Sequence, residues 1–131
     1  MSESFNIEII SPEKKLLTDK VNSATIPSFD GEMTILSNHI SLITFLRPGI
    51  VKLEKKDGKF EELFVQDGTV EFYNNTLVLL SSSAINIKNL TKQFLENLQK
   101  ETEEKLSKEN VNDQDRYILN HKIDIIKEIR I

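Results

Sequence analysis

Two histidines, two acid pairs and scattered serines are the residues here whose types could do chemistry. His39 stands inside "DGEMTILSNHISLITFLRPGIVKL", residues 30–53, two places after Ser37 and nine after Asp30. Serine, histidine and aspartate are the letters of a nucleophilic triad, but a triad is defined by geometry, and most sequences supply those letters. A zinc centre needs about four nitrogen, sulfur or oxygen ligands. With two histidines and no cysteine, no such set is spaced around His39. The acid pairs Glu61-Glu62 and Glu103-Glu104 suit solvated faces better than paired catalytic carboxylates. The glycines (Gly31, Gly49, Gly58, Gly68) come one to a turn, so none of them opens a phosphate-cradling loop. The expectation is a chain without a catalytic set, a metal or a cofactor. His39 reads as a contact residue in a polar loop, since surface loops on rigid scaffolds carry binding.

Composition narrows the classes further. The 131 residues suit one ordinary domain or two very small ones. The absence of cysteine excludes disulfides and thiol catalysis and fits a reducing compartment. A net charge of −4 gives no electrostatic footprint for nucleic acid. "MSESFNIEII" lacks the architecture of a secretion signal, and no later segment is apolar for long enough to span a bilayer. "NNT" and "NLT" match the glycosylation tripeptide, but without an export signal both read as chance. Any link to a membrane is expected to run through a partner.

The elements that must carry these residues change character along the chain. All the glycines and prolines precede residue 69. Residues 88–131 hold nine basic and nine acidic side chains, leaving 8 against 12 in the rest. A boundary near "SSSAINIKN" explains both shifts and divides the chain into a β-sandwich domain, 1–86, and an αα-hairpin domain, 87–131. In the first part Phe5, Ile7 and Ile9 alternate with Asn6 and Glu8, the period of a half-buried strand. "VNSATIP", "LITFL", "IVKLEKK", "TVEFY" and "TLVLLSS" follow as short strands. Asp57-Gly58 and Asn74-Asn75 are two-residue hairpin signals, because both pairs tolerate positive φ. Many short strands with frequent turns predict a small antiparallel sandwich or barrel. In the second part Leu90, Phe94, Leu98 and Leu106, widened by Leu95, make a helical stripe with "KETEEK" solvated opposite. Asn112 or Asp113 caps a second helix, whose stripe is Ile118, Ile125 and Ile129 with Leu119 and Ile126. The fold class is therefore α+β, a sandwich followed by an antiparallel helical hairpin.

That order of parts resembles the epsilon-subunit family of the F-type ATP synthases. The family's passage of Gly-Glu, a small-residue/His turn, two leucines and Pro-Gly is matched by Gly31-Glu32, Asn38-His39, Leu42-Ile43 and Pro48-Gly49. "IEIISPEKKLL" looks like its first strand and turn, and "VQDGTVEFYNNTLVLLSSSA" resembles its closing strands. "KEIRI" looks like its late pattern. The resemblance implies a non-catalytic rotor subunit in the central stalk. It would join the gamma subunit to the c-ring, with Glu32, Asn38 and His39 as docking residues. It also implies contact of the C-terminal helices with the catalytic alpha and beta subunits. The place implied is peripheral, on the cytoplasmic face of a bacterial inner membrane or its organellar equivalent, and the membrane is met only through partner subunits.

Two departures shape the expectations for regulation. ATP-binding members of that family open the first helix with Ile/Leu-Asp-x-x-Arg-Ala. Here "IKNLTK" puts Lys88 in the acid's place and Thr91 in the arginine's, so no nucleotide site is expected. The family's helices are commonly rich in alanine, whereas this chain has only Ala24 and Ala84. Opening the hairpin would expose Leu95, Leu98, Ile118, Ile125, Ile126 and Ile129. At about 1.5–3 kcal/mol per buried large apolar side chain, that seam resists opening. Arg116, Lys122, Lys127 and Arg130 are interleaved with Asp115, Asp124 and Glu128, which dilutes steering toward an acidic surface. The helices are thus expected to stay folded on the sandwich and to restrain ATP hydrolysis only weakly. The competing reading is a free-standing β-sandwich module for a small ligand, with the helices as a lid.

Overall fold

The computed structural model describes residues 3–129. Met1, Ser2, Arg130 and Ile131 lie outside the described residues, and with them the expected basic contact at Arg130 and the last letters of "KEIRI". The chain forms two compact units, 1–86 and 87–131.

The first unit holds nine strands among the described residues. They are β1 (Phe5–Ile10), β2 (Lys15–Ser28), β3 (Gly31–Leu36), β4 (Leu42–Leu46), β5 (Gly49–Lys55), β6 (Phe60–Val65), β7 (Gly68–Tyr73), β8 (Thr76–Leu80) and β9 (Ile85–Asn86). The alternation read in "FNIEIIS" is kept, with Phe5, Ile7 and Ile9 buried. "VNSATIP" proves to be only the end of a 14-residue strand. That strand belongs to both layers of the sandwich. Val21 pairs with Phe5 of β1 on one edge and with Lys55 of β5 on the other. Ser28 pairs with Gly31 of β3 and with Leu46 of β4. One layer runs β4-β7-β8-β1 into the first half of β2, and the other continues from its second half through β5, β6 and β9. Between them lie Ile7, Ile9, Val21, Ile26, Ile35, Val51, Leu53, Phe72, Leu77 and Leu79.

Of three local features, two differ from the sequence reading. β1 runs parallel to β8, from Asn6 opposite Thr76 to Ile10 opposite Leu80, so the sandwich is not wholly antiparallel. The Asn74-Asn75 loop is a two-residue turn with both φ values positive, 52° and 57°, as its letters demand. The Asp57-Gly58 loop is longer. Gly58 N–H donates to Lys55 O at 2.9 Å, and Lys55 N–H donates to Lys59 O at 2.7 Å, which makes a three-residue loop with Gly58 at φ 87°.

The second unit opens with a 3-10 turn at Ile87–Asn89, followed by α1 (Lys92–Leu106) and α2 (Asp113–Glu128). Thr91 caps α1 by accepting from Phe94 N–H at 3.1 Å, and Asn112 caps α2 by accepting from Asp115 N–H at 2.7 Å. The two helices pack against each other. Buried on α1 are Leu95, Leu98 and Thr102; Phe94 and Leu106 are half-buried. Thr102 corrects the reading of "KETEEK" as wholly solvated. Its hydroxyl donates to Leu98 O at 2.7 Å, so the side chain takes part in the apolar face without a stranded polar atom. On α2 the buried pair is Ile123 and Ile126, while Ile118, Leu119, Ile125 and Ile129 are half-buried. The stripe is centred about one residue away from where the periodicity alone placed it.

Candidate docking surface

Glu32, Asn38 and His39 all belong to β3 and the bend that follows it, but they do not meet at one point. Glu32 sits opposite Pro27 near the Phe29-Asp30 turn, and Asn38 follows the far end of the strand. At about 3.3 Å per residue, the two lie roughly 20 Å apart. What joins them is a face. Glu32, Thr34 and Leu36 are exposed along β3, exposure continues at Asn38 and Ile40, and the alternate residue Ile35 is fully buried. Thr34 shares a hydroxyl–hydroxyl hydrogen bond of 3.0 Å with Thr25 of β2. The contact residues expected from sequence thus mark the two ends of an exposed strip, and Leu36, 56 % exposed, lies between them.

The bend at the end of this strip is tightly held. Asn38 has φ 66°, a left-handed conformation that asparagine tolerates better than most residues. Its backbone N–H donates to Asn75 Oδ1 at 2.7 Å, and its Nδ2 donates to Glu3 Oε2 at 2.9 Å. Ser37 Oγ donates to the same Glu3 oxygen at 3.4 Å and accepts from Asn75 Nδ2 at 3.3 Å. A shallow hollow of about 240 Å³ lies beside the bend, lined by Glu3, Asn22, Leu36, Ser37 and Asn38.

His39 is half-buried, with its ring edge-on to Phe72 at 6.0 Å. Its Nδ1 is 2.7 Å from Ile40 O. A carbonyl oxygen only accepts, so Nδ1 carries a proton and Nε2 is the ring position left to meet a partner. Ser37 spends its bonds on Glu3 and Asn75, and Asp30 lies in the turn at the opposite end of β3. The three letters of the triad are therefore not brought together. Away from the strip, Lys55 Nζ lies 3.4 Å from Asp19 and 3.8 Å from Glu61. The Glu61 carboxylate, and next the hydrogen bond to Asp19, hold its ammonium above the ordinary lysine range.

A second surface was missed in the sequence. Ile43 (75 % exposed) and Phe45 (62 %) project outward from β4. Phe45 lies opposite Thr69, which lies opposite Leu80 of β8, itself exposed; Ile43 lies opposite the exposed Glu71 of β7, and Tyr73 and Ile40 are exposed as well. The signal was available. "LITFL" is apolar on both faces, and a strand so written wants cover on both sides.

The residues tied to a nucleotide site by the family pattern are placed otherwise. Thr91 is spent on capping α1, and Lys88 lies exposed on the 3-10 turn before it. Among the described residues, no helix is long and apolar enough to cross a membrane.

Residues 4–87 match the family described as ATP synthase, Delta/Epsilon chain, beta-sandwich domain. An ATP synthase epsilon chain of Pelagibacter ubique is 44 % identical over 130 residues, covering 98 % of this chain and 99 % of that one. The ATP synthase epsilon chain of Rhizobium meliloti is 38 % identical over 97 residues, covering 74 % of this chain and 72 % of that one. In fold, the chain is similar to one in the cryo-EM structure of the Euglena gracilis mitochondrial ATP synthase. The TM-score is 0.74 at 18 % identity, over 95 % of this chain and 78 % of that one. A chain of the Tetrahymena thermophila mitochondrial ATP synthase central stalk and c-ring gives 0.64 at 16 %, over 97 % and 96 %.

Proposed function

The chain belongs to the ATP synthase delta/epsilon family, and from that membership we propose that it is a non-catalytic central-stalk subunit of an F-type ATP synthase. It ties the gamma subunit to the c-ring and so couples ion flow to ATP synthesis. It makes and breaks no bond itself. Its work is to be a stiff body with two gripping surfaces. The observation that carries this reading is the pairing of those surfaces on one sandwich: the strip from Glu32 to Ile40, and the apolar face of Ile43, Phe45 and Leu80. Large apolar side chains left exposed on one face, beside Thr69 and Glu71, suit a protein partner, and gamma is the occupant that fits the stalk role. The strip, with Glu32 and Asn38 at its ends and the His39 bend behind it, faces the ring. The subunit sits peripherally on the cytoplasmic side of the membrane and reaches the bilayer only through its partners.

The helices have a weaker part. Thr91 is committed to a helix cap, and the acid–base pair of the family's ATP signature is missing at Lys88 and Thr91, so no tight nucleotide site forms. Basic residues on α2 (Arg116, Lys122, Lys127) alternate with Asp115, Asp124 and Glu128, and any contact with the alpha and beta subunits restrains hydrolysis only slightly.

Site-directed crosslinking in assembled membranes tests the arrangement, because the chain has no cysteine of its own. Glu32→Cys and Asn38→Cys are expected to crosslink to a c subunit, and Ile43→Cys and Phe45→Cys to gamma. A chain that purifies as a lone soluble species, with none of the four positions crosslinking, would overturn the reading.

A further inference from the structure

We infer that Glu3 and Asn75 are positioning residues for the docking strip: they clamp the Ser37-Asn38-His39 bend in its docking shape without themselves touching the ring. The inference rests on the docking reading above and extends it to residues outside the strip. Four hydrogen bonds converge on two bend residues, from segments 34 to 38 positions away in the chain. The Asn38 contacts are the short ones, 2.7 Å to Asn75 Oδ1 and 2.9 Å to the Glu3 carboxylate. The second involves an ionised acceptor and is the stronger kind. The bend needs such support. Asn38 holds a positive φ that side-chain-bearing residues seldom adopt, and its side chain is exposed to competing water.

The clamp is itself anchored. Asn75 is fixed by the two-residue turn between β7 and β8, and its carbonyl accepts from Asn6 N–H at 3.1 Å. That bond ties the start of β1 to the turn, and Glu3 precedes β1 by two residues. The first strand and the seventh–eighth hairpin therefore meet at the bend that belongs to neither. The clamp uses the Asn38 N–H and one of the two Nδ2 hydrogens, so what the bend offers a partner is its shape, the Asn38 Oδ1 and second amide hydrogen, and His39 Nε2. Losing either clamp residue leaves the strip's chemistry present and its geometry loose.

The test uses the full chain, with Glu3→Ala, Glu3→Gln, Asn75→Gly and Asn75→Asp. Glycine keeps the positive φ of the turn while removing the clamp side chain, and Gln and Asp keep the accepting oxygen. Amide exchange at Asn38, read by NMR, is expected to quicken about 10-fold in Asn75→Gly and about 3-fold in Glu3→Ala, a hydrogen bond's worth. Gln and Asp should restore most of the protection. Docking onto ATP synthase membranes stripped of this subunit should weaken about 3- to 10-fold in Glu3→Ala and Asn75→Gly. Melting temperatures should fall by no more than about 8 °C, the shift that a 10-fold change in one local equilibrium allows. In an Asn38→Gly background Glu3→Ala should cost docking much less than in the parent, because its shorter bond runs to Asn38 and only the 3.4 Å one to Ser37 remains. Unchanged exchange at Asn38 overturns the clamp, whatever docking does. Faster exchange with undiminished docking, while His39→Ala or Glu32→Ala weakens it, overturns the positioning role and leaves the docking strip standing. If Glu32→Ala, Asn38→Gly and His39→Ala all dock like the parent, the strip falls and the clamp's role with it. A variant whose melting temperature drops by more than about 12 °C marks a residue of the fold, and the positioning role is overturned for it.

Discussion

Single positions show where this sandwich tolerates no substitution. Gly68 begins β7 at φ 147°, and a Cβ there would press on Leu80 O while meeting Ser81 Cβ at 3.1 Å and Leu46 Cδ1 at 3.3 Å. Gly68→Ala combines backbone strain with a collision against a neighbouring strand. It should cost about 2–3 kcal/mol, seen as a melting temperature lower by roughly 10–20 °C. Lys55 gives a pH signature. Its folded pKa is raised, chiefly by Glu61, so its share of stability is complete below the unfolded lysine value and fades as pH rises through the folded one. The gap in melting temperature between the parent and Lys55→Met should therefore narrow above about pH 10.4, and it should stay small throughout, because the half-buried pair is still partly open to solvent and its contact is long, 3.8 Å. His39 illustrates what letters alone can say. Its neighbours, Asn38 and Ser37, announce a polar bend. Its tautomer, its packing on Phe72 and the distance to Asp30 come only from strands that are remote in sequence.

At the scale of elements, β1, β4, β5, β7, β8 and both helices are legible as patterns of period 2 or 3.6. β2 is harder to read, since Lys15, Asp19 and Lys20 put charges in its first half and a register shift between Val21 and Ser23 breaks the alternation of the second; the partners on both its edges decide its length. The parallel partnership of β1 with β8 has no local signal, because nothing in "FNIEII" names a strand 70 residues later. The proposed docking strip was half legible. Glu32, Asn38 and His39 came from a family pattern, whereas Leu36 and the apolar face of β4 follow from which side of each strand the core takes. Phe45→Asp tests that face. It should leave the melting temperature within about 3 °C, as exposed substitutions do, and it should weaken recovery of the subunit with gamma by at least 10-fold, as loss of a buried aromatic anchor does. In the hairpin, Thr91→Ala removes the cap of α1 and should cost about 1 kcal/mol, measurable as lower helical circular dichroism or faster amide exchange at Phe94.

At the scale of the molecule, two units meet at residues 86 and 87, and we expect the first to be self-sufficient. A chain ending at Asn86 should melt in one cooperative transition, as small single domains do; a broad, non-cooperative melt would make the helices part of its core. Calorimetric titration of the full chain with ATP should show no binding in the micromolar range, and deletion of residues 88–131 should raise ATP hydrolysis by the assembled enzyme only modestly. The parallel pairing of β1 with β8 also sets a clock. Asn6 finds Thr76, and Ile10 finds Leu80, only after those residues have left the ribosome. At about 5–20 residues per second, β1 waits roughly 4–15 s after its own synthesis for its last neighbour. During that interval its Phe5, Ile7 and Ile9 have β2 on one edge and nothing on the other. Nascent chains halted before residue 76 should therefore be cut readily by protease, and those with Leu80 well clear of the exit tunnel should resist.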